Sequence, residues 1–135
     1  MALSVRIVTP ERDLWSGPAS MVIARGVEGE VGILAGHVPM LVSLAIGPLR
    51  IQVDEQTEQV VIVDGGFLHV TSDGDQTRID VLAEQGVLAQ DIDPGAIREL
   101  MPELERAAGS GDALAKAELA KAQARLAAAG EPVTQ

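Results

Sequence analysis

The chain has 135 residues, a formal net charge of −10 and no cysteine, which bounds it to one ordinary domain or one domain with an appendage. The acidic balance repels nucleic-acid phosphates and anionic lipid, and the lack of thiols excludes a disulfide framework, thiolate catalysis and sulfur-ligated zinc. Apolar residues make up 47% of the chain, yet Trp15 and Phe67 are its only aromatic side chains, so a core must come from Val, Ile, Leu and Ala, and base stacking has no platform.

The start, Met1-Ala2-Leu3-Ser4-Val5-Arg6, carries no basic leader or long apolar stretch, and no run approaches the ~18 apolar residues of a membrane span. A cytosolic protein without membrane insertion is the default expectation. From Leu3 to about Leu88, short apolar segments alternate with turn signals. Leu3–Ile7, Leu49–Val53 and Thr77–Val81 each place apolar groups on one face and polar groups on the other, the period of a half-buried strand. Thr9-Pro10, Gly17-Pro18, Gly47-Pro48, Asp64-Gly65-Gly66 and Ser72–Asp75 are the expected reversals. Residues 59–82 therefore read as a three-stranded antiparallel meander, with hairpins at Asp64-Gly65-Gly66 and at Ser72–Asp75. The fold class expected for residues 1–90 is an all-β, antiparallel sandwich.

At Asp91-Ile92-Asp93-Pro94 the period lengthens to about 3.6, with Asp93 as N-cap and Pro94 at the first helical position. Ile97, Leu100, Met101, Leu104 and Ala108 make one apolar stripe, which Pro102 is expected to kink or split. Gly109-Ser110-Gly111 breaks the chain, Asp112 caps a second helix, and Ala115, Leu119, Ala122 and Leu126 form its stripe up to Gly130. Residues 91–135 thus read as a C-terminal α-helical hairpin with a short tail. Ala fills nine of the 17 positions from 113 to 129, so the helix has high propensity but few large side chains for docking. Leu114, Leu119 and Leu126 are each worth about 1.5–3 kcal/mol if wholly buried, little once the entropy of ordering is charged.

Charge is uneven along the chain. Residues 1–93 hold five basic and 14 acidic side chains, whereas residues 94–130 hold five of each. In the last helix Lys116, Lys121 and Arg125 face one acid, Glu118, a local excess of positive charge suited to an acidic partner.

Catalytic and cofactor chemistry finds little footing. Gly26–Gly32 is glycine-rich like a phosphate loop, but no Lys-Ser or Lys-Thr follows, and Glu28 and Glu30 would repel phosphate. His37 and His69 lack the paired spacing of a metal site; Asp73-Gly74-Asp75 reads as a turn and Asp91-Ile92-Asp93 as a helix cap. No serine sits in a nucleophile elbow. No catalytic, cofactor or metal residue is therefore expected.

Five segments in order carry a resemblance: Val8–Gly17 (VTPERDLWSG), Gly29–Leu34 (GEVGIL), Gly36–Leu41 (GHVPML), Gly47–Ile51 (GPLRI) and Asp64–Val70 (DGGFLHV). Followed by Val81-Leu82-Ala83 and an Ala-rich hairpin, they resemble the epsilon subunit of F-type ATP synthases, called delta in mitochondria, over nearly the whole chain. The resemblance implies a rotor subunit at the foot of the central stalk, on the cytoplasmic face of a bacterial membrane, gripping the gamma subunit and resting on the membrane c-ring. By motif position, Glu30 and His37 fall in the region that meets the c-ring, and Met40 and Leu41 in the strand that packs near gamma. The hairpin of such subunits lies folded on the sandwich or extends towards the catalytic beta subunit and hinders ATP hydrolysis, a role that Lys116, Lys121 and Arg125 would fill here.

One departure concerns nucleotide. Members that bind ATP carry Ile/Leu-Asp-x-x-Arg-Ala at the start of the first helix, whereas this chain reads Ile92-Asp93-Pro94-Gly95-Ala96-Ile97, with Ala96 at the arginine position and Arg98 two places late. Tight ATP sensing is not expected. The alternatives are a free-standing β-sandwich adaptor with a helical oligomerisation tail, and a β-sandwich enzyme using His37 or His69.

Overall fold

In the computed structural model, which describes residues 3–130, the expected alternation becomes eight strands, followed by a 3-10 turn at Ala89–Asp91 and two helices. The strands are β1 (Leu3–Val8), β2 (Asp13–Ala19), β3 (Met21–Gly26), β4 (Gly29–Leu34), β5 (Met40–Gln52), β6 (Glu58–Asp73), β7 (Gln76–Ala83) and β8 (Gly86–Leu88). They pair in the order β2-β1-β7-β6-β5-β3-β4, with β8 on β6. The pairing is antiparallel except for β1 with β7, which run parallel, a neighbour relation that alternation alone cannot reveal. The short tail expected after Gly130 lies outside the described residues, as do Met1 and Ala2.

Three expected reversals are not reversals. Asp64-Gly65-Gly66 is no hairpin, and Gly47-Pro48 is no turn between strands; both lie inside long strands that pair with each other from Met40↔Val70 to Gln52↔Glu58. The glycines change which face looks inward. On β6, Val61 and Val63 enter the core before the bend and Leu68 and Val70 after it, so the inward phase moves from odd to even positions; on β5 it moves from Leu44 to Leu49 and Ile51. Gly65 (φ +94°) and Gly66 (φ +119°) supply backbone that other residues rarely adopt. One bent pair of strands thereby serves both layers of the sandwich, as strands do at the corners of such folds. Gly17-Pro18 likewise lies within β2. The hairpin at Ser72–Asp75 forms as expected, with Gly74 at φ +62° first in a two-residue loop.

The sandwich core is aliphatic. Leu3, Val5 and Ile7 of β1 meet Ile79 and Val81 of β7, Leu68 and Val70 of β6, and Ile33 and Val22 from the other layer, all essentially sealed from solvent.

Helix α1 (Pro94–Gly109) begins where Asp93 Oδ1 accepts from Ala96 N at 3.2 Å. It runs through Pro102 without the split that was one of the two expected outcomes. Pro102 lies on the exposed side, where water can serve the preceding turn that its ring nitrogen cannot donate to. Helix α2 (Ala113–Ala128) is capped by Asp112, which accepts from Leu114 N at 3.0 Å. The two helices pack on each other through Met101, Ala122 and Leu126, flanked by Ile97, Leu104 and Leu119, a cluster separate from the sandwich core. Leu100 of the first stripe and Leu114 are left 59% and 71% exposed, so neither contributes the stabilisation that full burial would bring.

Candidate functional site

Four surfaces hold the residues that the sequence singles out. The first is the β3–β4 hairpin, whose two-residue tip, Val27-Glu28, joins Gly26 to Gly29. Glu30 is exposed and opposite Arg25. Val27 N donates to Ser43 O at 2.9 Å, which draws the tip against β5. Glu30, Met40 and Leu41 thereby line one open groove of about 500 Å³, together with Val27, Glu28 and Val42.

His37 is elsewhere. It follows the far end of β4, about 13 Å of strand from Glu30, so Glu30 and His37 are not brought together. Its backbone N–H donates to Leu34 O at 3.1 Å, and its carbonyl accepts from Ser72 Oγ at 3.2 Å. Nδ1 lies 2.8 Å from the Val38 carbonyl oxygen; since a carbonyl only accepts, Nδ1 is the donor of this contact.

A third surface is not read from the sequence. Across the outer face of the sheet, the rows Leu41–His69–Asp80–Arg6 and Ser43–Phe67–Leu82–Val8 run side by side through β5, β6, β7 and β1. From Phe67 to Val8 the second row is apolar where solvent-facing strand positions are normally polar: Phe67 is 50% and Leu82 59% exposed. With Val8 and Pro10 they line an open cleft of about 340 Å³. The signal was present, because Leu82 shares the strand phase of Arg78 and Asp80, and Phe67 that of His69. Large apolar groups on a polar phase mark a contact surface.

The fourth surface is α2. Lys116 is exposed. Lys121 Nζ reaches Glu118 Oε1 at 3.3 Å and Gln85 Oε1 at 3.5 Å. Arg125 grips Asp64 with both ends of its guanidinium, Nη1 to Oδ1 at 2.9 Å and Nη2 to Oδ2 at 2.6 Å. The three cations therefore do not form a free cluster in this arrangement. Asp64, read as a turn residue in the sequence, is the partner that was missed. The clue was its place at the end of the apolar run Val60–Val63: a strand with both faces apolar needs a cover on each, and α2 supplies the second.

Among the described residues, no group of three or more His, Asp or Glu is placed to hold a metal ion, and no helix is long and apolar enough to cross a membrane. Asp73 and Asp75 sit at the β6–β7 turn and Asp93 caps α1.

Residues 2–89 match the family model described as ATP synthase, Delta/Epsilon chain, beta-sandwich domain. Over 129 residues the chain is 45% identical to the ATP synthase epsilon chain of Thermobifida fusca (strain YX), covering 94% of this chain and 91% of that one. It is 37% identical over 133 residues to the ATP synthase epsilon chain of Psychrobacter sp. (strain PRwf-1), covering 98% and 90%. Among solved structures, its fold is similar to a chain of the Euglena gracilis mitochondrial ATP synthase, OSCP/F1/c-ring in rotational state 1, with a TM-score of 0.71 at 23% identity, covering 93% of this chain and 75% of that one.

Proposed function

The chain belongs to the ATP synthase delta/epsilon family, and from that premise we propose that it is an epsilon-type rotor subunit of a bacterial F-type ATP synthase, carrying torque between the membrane c-ring and the gamma subunit. It contributes no catalytic group. It sits peripherally on the cytoplasmic face of the membrane, held there by its partners.

The observation that carries this reading is the apolar row of Phe67, Leu82 and Val8 on an outer sheet face. Such a row is poorly hydrated on a free protein and suits a lasting protein contact. We assign gamma to this face, including Leu41 at its edge, with Met40 behind it on the inner side of the same strand, packed against the sandwich core, and the c-ring to the acidic β3–β4 tip with Glu30. His37, at the opposite end of β4, belongs to the c-ring contact only if that partner spans both ends of the strand. Lys116, Lys121 and Arg125 address an acidic part of the catalytic beta subunit when the hairpin is free to reach it. The adaptor reading with an oligomerising tail finds less support, because the helical stripes are spent on each other within one chain.

The test is purification of the parent and of Leu82→Ser from a membrane containing the synthase, with proton pumping measured on both. Gamma and the c-ring remaining with the parent, and lost with the variant, is the expected result. A parent that purifies alone overturns the reading.

A further inference from the structure

The hairpin is fastened to the sandwich by the packing of α2 on β5 and β6 and by one buried charged contact. Alternation on β6 sends Val61 and Val63 into the sandwich core and leaves Ile62 and Asp64 on the opposite face. Both are nonetheless buried, and α2 is the helix that packs against β5 and β6 there. The side chain of Asp64 is 1% exposed and that of Arg125 20%, whereas the ion pairs Arg6–Asp13, Arg50–Glu58 and Arg78–Asp80 all lie at the solvent surface. The large apolar groups that the hairpin covers, Met101 and Leu126 with Ile97, Leu104 and Leu119, belong to its own cluster. Lifting the hairpin would therefore open neither core. It would uncover Ile62, separate Lys121 from Gln85, and break the Asp64–Arg125 pair.

We infer that Asp64 and Arg125 form a latch that decides whether the hairpin is docked, and that Asp64 competes with any outside acidic partner for the same guanidinium. Both terminal nitrogens of Arg125 are bound to the two oxygens of one carboxylate, and Nη1 also donates to Lys121 O at 3.3 Å. A guanidinium fork filled in this way cannot take a second carboxylate in the same geometry. Asp64 thus stands in for the partner while the hairpin is down, and Arg125 becomes available only when the latch opens. The latch is a property of the isolated chain; its regulatory consequence rests on the reading that α2 addresses an acidic catalytic subunit.

The chain has no cysteine, so cysteines introduced at the exposed positions Ala127 and Glu55 take distance labels without interference. In the full chain, Asp64→Asn and Arg125→Gln should each raise the undocked-to-docked ratio by about tenfold or more, since each leaves a buried group without its charged partner. The double variant should be no more undocked than the worse single, and the exchange Asp64→Arg with Arg125→Asp should recover part of the docking. Arg125→Lys, which keeps the charge and loses the two-pronged grip, should fall between parent and Arg125→Gln, and it decides the matter should Asp64→Asn fail to fold. An unchanged distance distribution in Arg125→Gln, or effects that simply add in the double variant, overturns the latch. A second arm measures ATP hydrolysis by the assembled synthase: a latch that opens in the isolated chain while hydrolysis stays the same would leave the latch standing and remove its proposed regulatory role.

Discussion

The carbonyl oxygen of Leu82 lies where a side chain on Gly66 would have to begin. Gly66 also has φ +119°, a conformation that favours glycine. Gly66→Ala must therefore displace β7 as well as strain β6 at the bend that lets one strand serve both layers. We expect a loss of more than about 2 kcal/mol. Gly32→Ala, at an ordinary φ with open space around it, is the control and should lie within about 1 kcal/mol of the parent. Urea denaturation of the full chain measures both, and equal midpoints would mean the bend tolerates a side chain.

Leu82→Ser and Phe67→Ser should separate folding from assembly. Each removes an apolar group that is half exposed or more, so the cost to the fold should be at most about 1 kcal/mol, while retention in the purified synthase falls sharply. A melting temperature that collapses without loss of assembly would place these side chains in the core of the domain.

The sandwich should fold without the hairpin. Its aliphatic cluster includes no helical residue, so residues 1–90 should keep a cooperative thermal transition. Removing α2 uncovers Ile62, which is fully buried in the intact chain, at a cost of about 1.5–3 kcal/mol. Scanning calorimetry of the fragment checks this, and a broad, non-cooperative melt would show that the hairpin is part of the fold.

Local chemistry was legible in the sequence where it acts locally. Asp93, Pro94 and Asp112 mark helix starts because caps satisfy nearby backbone donors, and Gly74 marks a true hairpin because its neighbours pair across two residues. Asp64-Gly65-Gly66 misleads because a glycine pair looks the same whether the chain reverses or bends; only a partner strand bending at the same place, at Ala45 to Gly47, tells the two apart. The parallel pairing of β1 with β7 and the grip of Arg125 on Asp64, 61 residues away, are long-range relations that no window contains. Of the candidate sites, Glu30 with Met40 and Leu41 falls in one groove as their nearness in sequence hints, whereas His37 is carried to the other end of a straight strand. The exposure of Phe67 and Leu82 on a polar strand phase was readable from the alternation of β6 and β7.

Acid should act visibly at the β5–β6 turn. The Gln56 backbone N–H, followed by the Thr57 side chain, hydrogen-bonds the Asp54 carboxylate and holds its pKa below the ordinary aspartate value. A depressed folded-state pKa contributes stability above the unfolded pKa and loses it as pH falls through the folded one. The group is fully exposed, so this contribution is minor and local. A carboxyl titration followed by NMR should place the Asp54 midpoint below that of a free aspartate, with the Gln56 amide shifting in step. A midpoint at or above the free value would remove the turn bond in solution.

The cations of α2 should divide by their present partners. Lys116 is exposed while the hairpin is docked, whereas Arg125 is engaged by Asp64. Neutralising Lys116 should therefore leave docking of the isolated chain unchanged, and in the assembled synthase it should raise ATP hydrolysis modestly, by about 1.5- to 3-fold, through loss of one surface contact. Neutralising Arg125 acts twice in opposite directions: it frees the hairpin from the sandwich and deprives the freed hairpin of its strongest grip on a carboxylate. Its net effect on hydrolysis should be smaller than that of Asp64→Asn, which frees the hairpin and leaves Arg125 intact, and which should lower hydrolysis. Raised salt should weaken the Lys116 effect more than the Asp64 effect, since exposed charges are screened and buried ones are not. If Asp64→Asn and Arg125→Gln change hydrolysis equally and in the same direction, Arg125 has no second partner, and any inhibition by the hairpin is steric.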